Sequence, residues 1–189
     1  MFEALAPRTQ ENNAPAPWEH DPKPRLNVAA WLPARAQERP YQRALIHPEG
    51  RNQLGKRTYS HLTYGQLDAL CDAYATGLTE QGVRQGMRVL MLVSQGMELI
   101  ALTFALFKIG AVPVMIDPGM GRKPFLACVE DSKPEAMIGI PRAFAAKRLF
   151  GKSFKTIKIP VITQGRWWAG AHALSDVANF DAAPFQCAD

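Results

Sequence analysis

The chain has 189 residues, of which 47% are hydrophobic and 21% are charged. This composition supports one sizeable core and excludes disorder throughout, and 14 glycines with 15 prolines exclude a coiled coil. The net charge of +5 arises from 22 basic and 17 acidic residues, which is only a mild basic excess.

The basic residues are densest between positions 147 and 158, where no acidic residue interrupts them. That stretch contains Lys147, Arg148, Lys152, Lys155 and Lys158. We interpret it as a solvated helix end and loop, because electrostatic footprints on phosphates usually need denser clustering. A phosphate or nucleic-acid patch is the alternative, and no nucleic-acid partner is expected.

Cysteine usage and hydropathy indicate a cytoplasmic protein. Cys71, Cys128 and Cys187 are odd in number and lack CxxC spacing, which argues for a reducing compartment and against a disulfide framework or a zinc site. The first ten residues lack the apolar stretch of a signal peptide. The longest apolar run, near residues 100–107, is too short to cross a bilayer, so no transmembrane segment is expected.

The amino-terminal region divides into an arm, a helix and a hairpin. Residues 1–25 carry five prolines, and we expect a proline-rich arm there. Asn27 is a candidate N-cap for a helix that ends before Pro40. Two short β-prone runs, Ala44–His47 and Arg57–Leu62, predict a hairpin in which residues 48–52 form a long exposed loop.

The strongest local signal is a capping box at residues 63–66. The Thr63 hydroxyl and the Gln66 side chain can each satisfy the other residue's backbone N–H group, and Leu62 with Leu67 can form a hydrophobic staple. The sequence therefore predicts a helix that begins here and ends with Gly82 as the residue after its C-cap.

Beyond residue 82, apolar strands alternate with helices. The predicted strands are Arg88–Val93, Ala111–Ile116, Ala136–Ile140 and Thr156–Thr163. The predicted helices are Met97–Lys108, Pro124–Asp131 and Pro141–Phe150. This spacing is typical of parallel βαβ units and predicts a three-layer α/β/α domain with a mainly parallel sheet. Further on, Trp167 and Trp168 are interpreted as a packing anchor, and residues 181–189 have no readable pattern.

The common catalytic patterns are absent from the sequence. The sequence has no GxGxxG, GxxxxGK[ST] or GxSxG motif. Its histidines, His20, His47, His61 and His172, are far apart, and Cys71 falls on the apolar stripe of its helix. We therefore predict no catalytic, cofactor-binding or metal-binding residues within the 189 residues.

Two features have both a structural and a functional interpretation. The Asp117–Gly121 stretch follows a predicted buried strand. Open α/β sheets bind ligands at the ends of such strands. A tight turn is the favoured interpretation of this stretch, and an anion site is the alternative. The helix Met97–Lys108 is apolar on nearly every side, which indicates a core helix or, alternatively, one wall of an acyl pocket.

Several segments resemble the N-terminal part of the adenylate-forming superfamily, which includes acyl-CoA synthetases, luciferases and peptide-synthetase adenylation domains. They are Leu62–Leu67, Gly77–Leu78, Gly82–Val83, Gly86–Val89 and, most specifically, Phe104–Gly119. The Phe104–Lys108 and Asp117–Gly119 stretches are most similar to the fatty-acyl-CoA ligase group that contains the β-lactone synthetases of olefin biosynthesis. The resemblance covers about residues 26–170, and Met87 departs from the usual Asp at a surface turn.

The resemblance implies a longer enzyme that activates a carboxylate with ATP and Mg²⁺, with CoA or an internal hydroxyl as acceptor. The family's glycine-rich phosphate loop, adenine-binding segment, acidic ribose ligand and C-terminal lysine-bearing domain have no counterpart in these residues. On this resemblance, residues 26–180 form an N-terminal subdomain and residues 181–189 a linker that stops before the phosphate loop.

The resemblance leads to a main hypothesis and two alternatives. In the main hypothesis the 189 residues are a catalytically silent part of the ligase, without cofactors of their own. Their partners would then be the remainder of the enzyme and a fatty or β-hydroxy acid, with self-association through an exposed apolar face. The alternatives are a stand-alone module that binds a small anion or acyl ligand at residues 117–121, and nucleic-acid binding through residues 147–158.

Overall fold

The structure, a computed structural model, describes residues 27–165, 170–181 and 183–188. The predicted arm and Trp167–Trp168 lie outside the described residues. The first helix, α1 (Trp31–Glu38), follows a short 3-10 turn, Val28–Ala30, that Asn27 caps by accepting a hydrogen bond from the Ala29 N–H group at 3.0 Å. Asn27 thus caps the 3-10 turn rather than α1, whose own N-cap is Ala30, so the predicted helix starts four residues after Asn27; its end before Pro40 is confirmed.

The predicted hairpin exists, but its first strand is longer than expected. Strand β1 (Arg43–Arg51) pairs antiparallel with β2 (Arg57–Thr63), so the connection is residues 52–56. Pro48 lies opposite Tyr59 within the ladder, and the register shifts between Pro48 and Gly50. A proline is tolerated at such an irregularity, and for this reason the prediction of a loop over residues 48–52 is wrong.

Helix α2 (Tyr64–Glu80) begins at the predicted capping box. The Thr63 hydroxyl accepts from the Gln66 N–H group at 3.3 Å, and the Gln66 side chain accepts from the Thr63 N–H group at 3.0 Å. At the other end, Gly82 has a φ of +102°, a left-handed conformation that glycine adopts without strain. Both predicted ends of this helix are confirmed.

A five-stranded parallel sheet follows, in the order β4-β3-β5-β6-β7. Its strands are β3 (Arg88–Leu92), β4 (Val112–Met115), β5 (Ala136–Gly139), β6 (Ile159–Ile162) and β7 (His172–Ala173). The helices that follow α2 are α3 (Met97–Ile109), α4 (Arg122–Ser132), α5 (Pro141–Leu149) and α6 (Leu174–Val177). All four strand pairings are parallel.

Alternate strand residues serve two cores, one on each face of the sheet. Val89 and Ile138 face the core formed with α1, α2 and α3. Leu90 and Met137 face the core formed with α4 and α5. This alternation, expected of a pleated strand covered on both sides, confirms the predicted three-layer α/β/α arrangement.

Three details of the sheet differ from the predictions. Strand β4 is an edge strand, with Val112 and Met115 48% and 55% exposed, rather than a buried one. The predicted strand Thr156–Thr163 is only Ile159–Ile162, because residues 151–156 form turns. Finally, β7 and α6 have no counterpart in the predictions. No helix within the described residues has both the length and the apolarity needed to span a membrane.

Candidate functional site

The order of the strands creates a crevice at the carboxyl ends of β3, β4 and β5. From β3 the chain passes through α3 on one face of the sheet to β4, and then returns through α4 on the other face to β5. Strand β3 therefore lies at the point where successive connections diverge. Open α/β sheets bind their ligands at such a switch point.

A cavity of about 630 Å³ occupies this crevice, against the face covered by α4 and α5. Its walls are mainly apolar side chains from the strand ends and both helices, among them Met91, Ile116, Phe125, Leu126, Ala143 and Phe150. Ser94, Arg122 and Arg142 supply its polar side chains. A concave apolar pocket with a few convergent polar groups is typical of small-molecule sites.

The two arginines give the cavity its charge. Arg122 is the first residue of α4, and its guanidinium lies over the Phe150 ring, 5.8 Å from the centroid. Arg142 is the second residue of α5, directly after Pro141. None of the described residues that line this cavity is acidic. Because guanidinium groups bind carboxylates and phosphates in a bidentate manner, the cavity suits an anion with an apolar body.

The Asp117–Gly121 stretch forms the tight turn that the sequence favours. An Asp117 carboxylate oxygen accepts a hydrogen bond from the Gly119 N–H group at 2.7 Å. A Cβ at Gly119 would lie 3.0 Å from that oxygen, so glycine leaves room for the turn. Pro118 lines the cavity, which places the turn at the candidate site. Anion binding by the turn stays a prediction.

Helix α3 is chiefly a core helix. Ala101, Leu102, Ala105 and Leu106 are fully buried in the core that α3 shares with α2. A smaller groove of about 290 Å³ lies where Met97–Ile100 approaches strand β1. The alternative role of α3, as a wall of an acyl pocket, stays a prediction.

A buried charge cluster that was not predicted from the sequence lies on the other face of the sheet. The Lys108 side chain is fully buried, and its Nζ lies 2.5 Å from carboxylate oxygens of Asp68 and Asp72. Burial alone lowers the pKa of Lys108, but hydrogen bonds from its ammonium group to the two carboxylates outweigh that effect and raise it. Burial raises the pKa of Asp72, partly offset by the hydrogen bond from Lys108.

This cluster joins helices rather than forming part of the cavity. Asp68 and Asp72 are four residues apart and therefore lie on one face of α2, and Lys108 reaches them from the last turn of α3. A lysine in the last turn of a helix that is apolar apart from Glu98 and Thr103 is the signal that could have revealed the cluster.

The segment 183–188 packs against the amino-terminal turn and the end of α3. The Ala188 N–H group donates to the Lys108 carbonyl at 2.8 Å. The Asn27 amide donates to the Phe107 carbonyl at 2.6 Å and to the Ala188 carbonyl at 2.9 Å. A segment without a readable sequence pattern is thus held through the backbone of Ala188, by one backbone hydrogen bond and one from the Asn27 side chain.

The remaining polar candidates give no catalytic grouping. Cys71 is fully buried, as its place on the apolar stripe predicts, and burial raises the pKa of its thiol to about 12. His47, His61 and His172 lie on three different strands. Within the described ranges, no three His, Cys, Asp or Glu side chains converge as metal ligands.

Comparison with known proteins agrees with this fold. The sequence profile of the AMP-binding enzyme family matches residues 32–182. Olefin beta-lactone synthetases from Xanthomonas campestris pv. campestris and Stenotrophomonas maltophilia are 41% and 40% identical over 145 and 147 residues. Each alignment covers 76% of this chain and 26% of the relative.

A solved structure shows the same fold at lower identity. The long-chain-fatty-acid-CoA ligase from Archaeoglobus fulgidus superposes with a TM-score of 0.71 at 18% identity, over 88% of this chain and 32% of that one. The chain thus spans about a quarter of the length of the curated relatives it matches. Because the family profile covers most of the residues, we conclude that the chain belongs to the AMP-binding enzyme family.

Proposed function

We propose that this chain is the N-terminal portion of an ATP-dependent, carboxylate-activating ligase of the fatty-acyl-CoA synthetase type. The observation that carries the proposal is the 41% identity to an olefin beta-lactone synthetase over 76% of this chain, at 26% of the relative's length. In such a ligase a carboxylate oxygen would attack the α-phosphate of ATP and release pyrophosphate. A thiol such as CoA, or an internal hydroxyl, would then displace AMP from the acyl-adenylate.

On this proposal the described domain is a scaffold. Residues 1–25 are its arm, residues 26–180 the subdomain and residues 181–189 a linker, while the groups that bind ATP and Mg²⁺ lie in the rest of the enzyme. The substrate would be a fatty or β-hydroxy acid, and the location the cytoplasm. The absence of a phosphate-binding glycine loop from the sequence and the free cysteines are consistent with these assignments.

The test is carboxylate-dependent exchange of pyrophosphate into ATP. We expect no exchange from the purified 189 residues with any fatty or β-hydroxy acid. We expect exchange from a polypeptide that continues into the family's phosphate loop. Exchange by the 189 residues alone would overturn the proposal that the ATP-binding groups lie in the rest of the enzyme. No exchange by the longer polypeptide would overturn the ligase assignment.

A second candidate function is the binding of an amphiphilic anion in the cavity at the switch point. It is favoured by the pairing of Arg122 and Arg142 with apolar walls in a volume of about 630 Å³. The anionic head would bind the two guanidinium groups, and its apolar body would contact Phe125 and Phe150. This role could operate within the ligase or in a stand-alone module.

Isothermal titration tests the cavity with ATP, AMP and long-chain acyl ligands as probes. We expect a ligand that combines a negative charge with an apolar chain to bind, and Arg142→Ala to weaken it. Lys147→Ala is the matched control, because Lys147 lies on the same helix and does not line the cavity. The absence of binding heat with every probe, or an equal loss of affinity in both variants, would overturn the proposed role of the cavity.

We also propose that the 189 residues self-associate through exposed apolar side chains such as Val112 and Met115. Light scattering should then show an average mass above that of one chain, and ANS fluorescence should rise on mixing. A strictly monomeric chain that does not increase ANS fluorescence would contradict this proposal.

A further inference from the structure

The positive charge of the chain is concentrated on one layer of the domain. Residues 122–158, which contain α4, β5, α5 and the turns after α5, carry nine Lys or Arg and three Asp or Glu residues. Their net charge of +6 accounts for the whole +5 of the chain, so the other residues are together close to neutral. Segregated charge of this kind attracts an extended anionic surface.

Helix α5 presents the centre of this layer to solvent. Its exposed residues, spaced three or four apart, form one stripe, which continues into the following turn at Lys152. We define this stripe as the α5 face; it consists of Arg142, Ala145, Arg148, Leu149 and Lys152. The opposite side of the helix is fixed to the domain by Phe144, which is buried in the core beneath it, and by Ala146, which packs against that core.

Leu149 is the unusual member of the α5 face. Its side chain is 75% exposed between the exposed basic residues Arg148 and Lys152, and no acidic residue occurs in α5. The acidic residues of the layer are Glu130 and Asp131 on α4 and Glu135 directly before β5; the Ser153 hydroxyl donates a hydrogen bond to Glu130 at 2.7 Å. The α5 face therefore combines one exposed apolar side chain with surrounding cations.

We propose that the α5 face binds the surface of an anionic lipid membrane, with Leu149 inserted among the lipid tails and Arg148 and Lys152 on the phosphates. Lysine and arginine stems are long enough to keep their charges at the headgroups while an adjacent leucine enters the apolar boundary. The proposal goes beyond the ligase function and does not depend on it.

A lipid surface fits the α5 face better than a nucleic acid does. Bases are bound by exposed aromatic rings on which they stack, whereas the α5 face offers an aliphatic side chain. The nearest aromatic residue, Phe150, is half-buried at the cavity with the Arg122 guanidinium over its ring. The phosphates of a nucleic acid would contact the basic side chains, and Leu149 would stay exposed to solvent.

The experiment measures co-sedimentation of the 189-residue protein with vesicles. Vesicles of phosphatidylcholine alone should not bind it. Vesicles with equal parts of phosphatidylglycerol and phosphatidylcholine should bind it, and added NaCl should weaken that binding by screening. Arg148→Gln and Lys152→Gln should each weaken binding roughly fivefold, while Leu149→Ser should weaken it and leave its salt dependence unchanged.

Leu54 provides the matched control for Leu149. It is 80% exposed on the hairpin connection and also has basic neighbours, Arg51 and Lys56, but it lies outside the charged layer. We expect Leu54→Ser to bind vesicles like the unchanged protein. All four substituted side chains are exposed, so thermal unfolding of the variants should match that of the unchanged protein.

The outcomes separate the lipid proposal from its rivals. Failure to bind phosphatidylglycerol vesicles, or a loss in Leu54→Ser equal to or greater than that in Leu149→Ser, would overturn it. It would also be overturned if Leu149→Ser had no effect while a short DNA duplex displaced the protein from the vesicles, since the α5 face would then be a nucleic-acid surface.

Discussion

Gly77 in helix α2 lies directly against the backbone of Val177, the last residue of α6. A Cβ atom at Gly77 would be 1.6 Å from the Val177 carbonyl oxygen, and so could not coexist with it. Close by, the Asn179 N–H group donates to the Ala73 carbonyl at 3.1 Å. The polypeptide after the sheet is therefore attached to α2 by backbone contact, which requires a residue without a side chain.

We expect Gly77→Ala to destabilise the domain by about 3 kcal/mol, because α6 must move away from α2 to admit the methyl group. The free energy of unfolding from urea titration checks this. Gly151→Ala is the control: its Cβ would lie at an ordinary 3.7 Å from the Lys147 carbonyl oxygen, and its stability should change little. Equal stability of the Gly77 variant and the unchanged protein would contradict the close contact.

Replacing Lys108 with methionine should cost about 3–5 kcal/mol of unfolding free energy, because it leaves Asp68 and Asp72 without a cation in a poorly hydrated site. Changing both aspartates to asparagine in the same variant should recover much of that loss, since no uncompensated charge remains. Denaturant titration of both variants checks the prediction. Lys123→Met, at an exposed position, should leave stability nearly unchanged.

Burial raises the pKa of the Glu98 carboxyl, so ionising it weakens the folded state relative to the unfolded one. Glu98→Gln should therefore match the unchanged protein well below pH 4, under the ordinary glutamate pKa of about 4.3. As the pH rises through the folded-state pKa, the unchanged protein should become progressively less stable than the variant. Thermal unfolding at a series of pH values checks this, and a constant or reversed difference would contradict it.

Cys71 should be the slowest cysteine to react with iodoacetamide in the folded protein at pH 8. Its thiol is fully buried, and its pKa of about 12 leaves almost no thiolate. Cys128 is only partly buried and should be alkylated before Cys71. Mass spectrometry of peptides after timed labelling checks the order, and in urea the two cysteines should react at similar rates.

The sequence predicted those elements whose signals are local. Thr63 and Gln66 bond to each other across one helical turn, so the start of α2 is readable from four adjacent residues. Gly82 is readable for the same reason, because its left-handed conformation ends the helix at that residue. The alternation of strands and helices after residue 82 likewise follows from periodicity, and it yields the fold class.

Features that depend on the order of the strands could not be predicted. The runs at residues 88–93 and 111–116 are similarly apolar, yet β3 has a neighbouring strand on each side and β4 is at the edge. Met91, Arg122 and Phe150 all line the cavity. They come together only because the chain passes from β4 through α4 to β5, on the other side of β3. The contact of Lys108 with Asp68 and Asp72 spans 40 and 36 residues, and no periodicity encodes it.

The position of Pro113 in β4 limits how the domain can be extended. The Val112 N–H group points into the sheet, where it donates to the Met87 carbonyl at 2.8 Å, so the backbone nitrogen of the next residue points outward. Proline has no backbone N–H group, so the exposed edge of the sheet lacks one hydrogen-bond donor at Pro113. A strand that pairs with β4 along this edge, including a strand from another copy of the chain, would therefore lack one backbone hydrogen bond. Fibril-like stacking from this side is disfavoured for that reason.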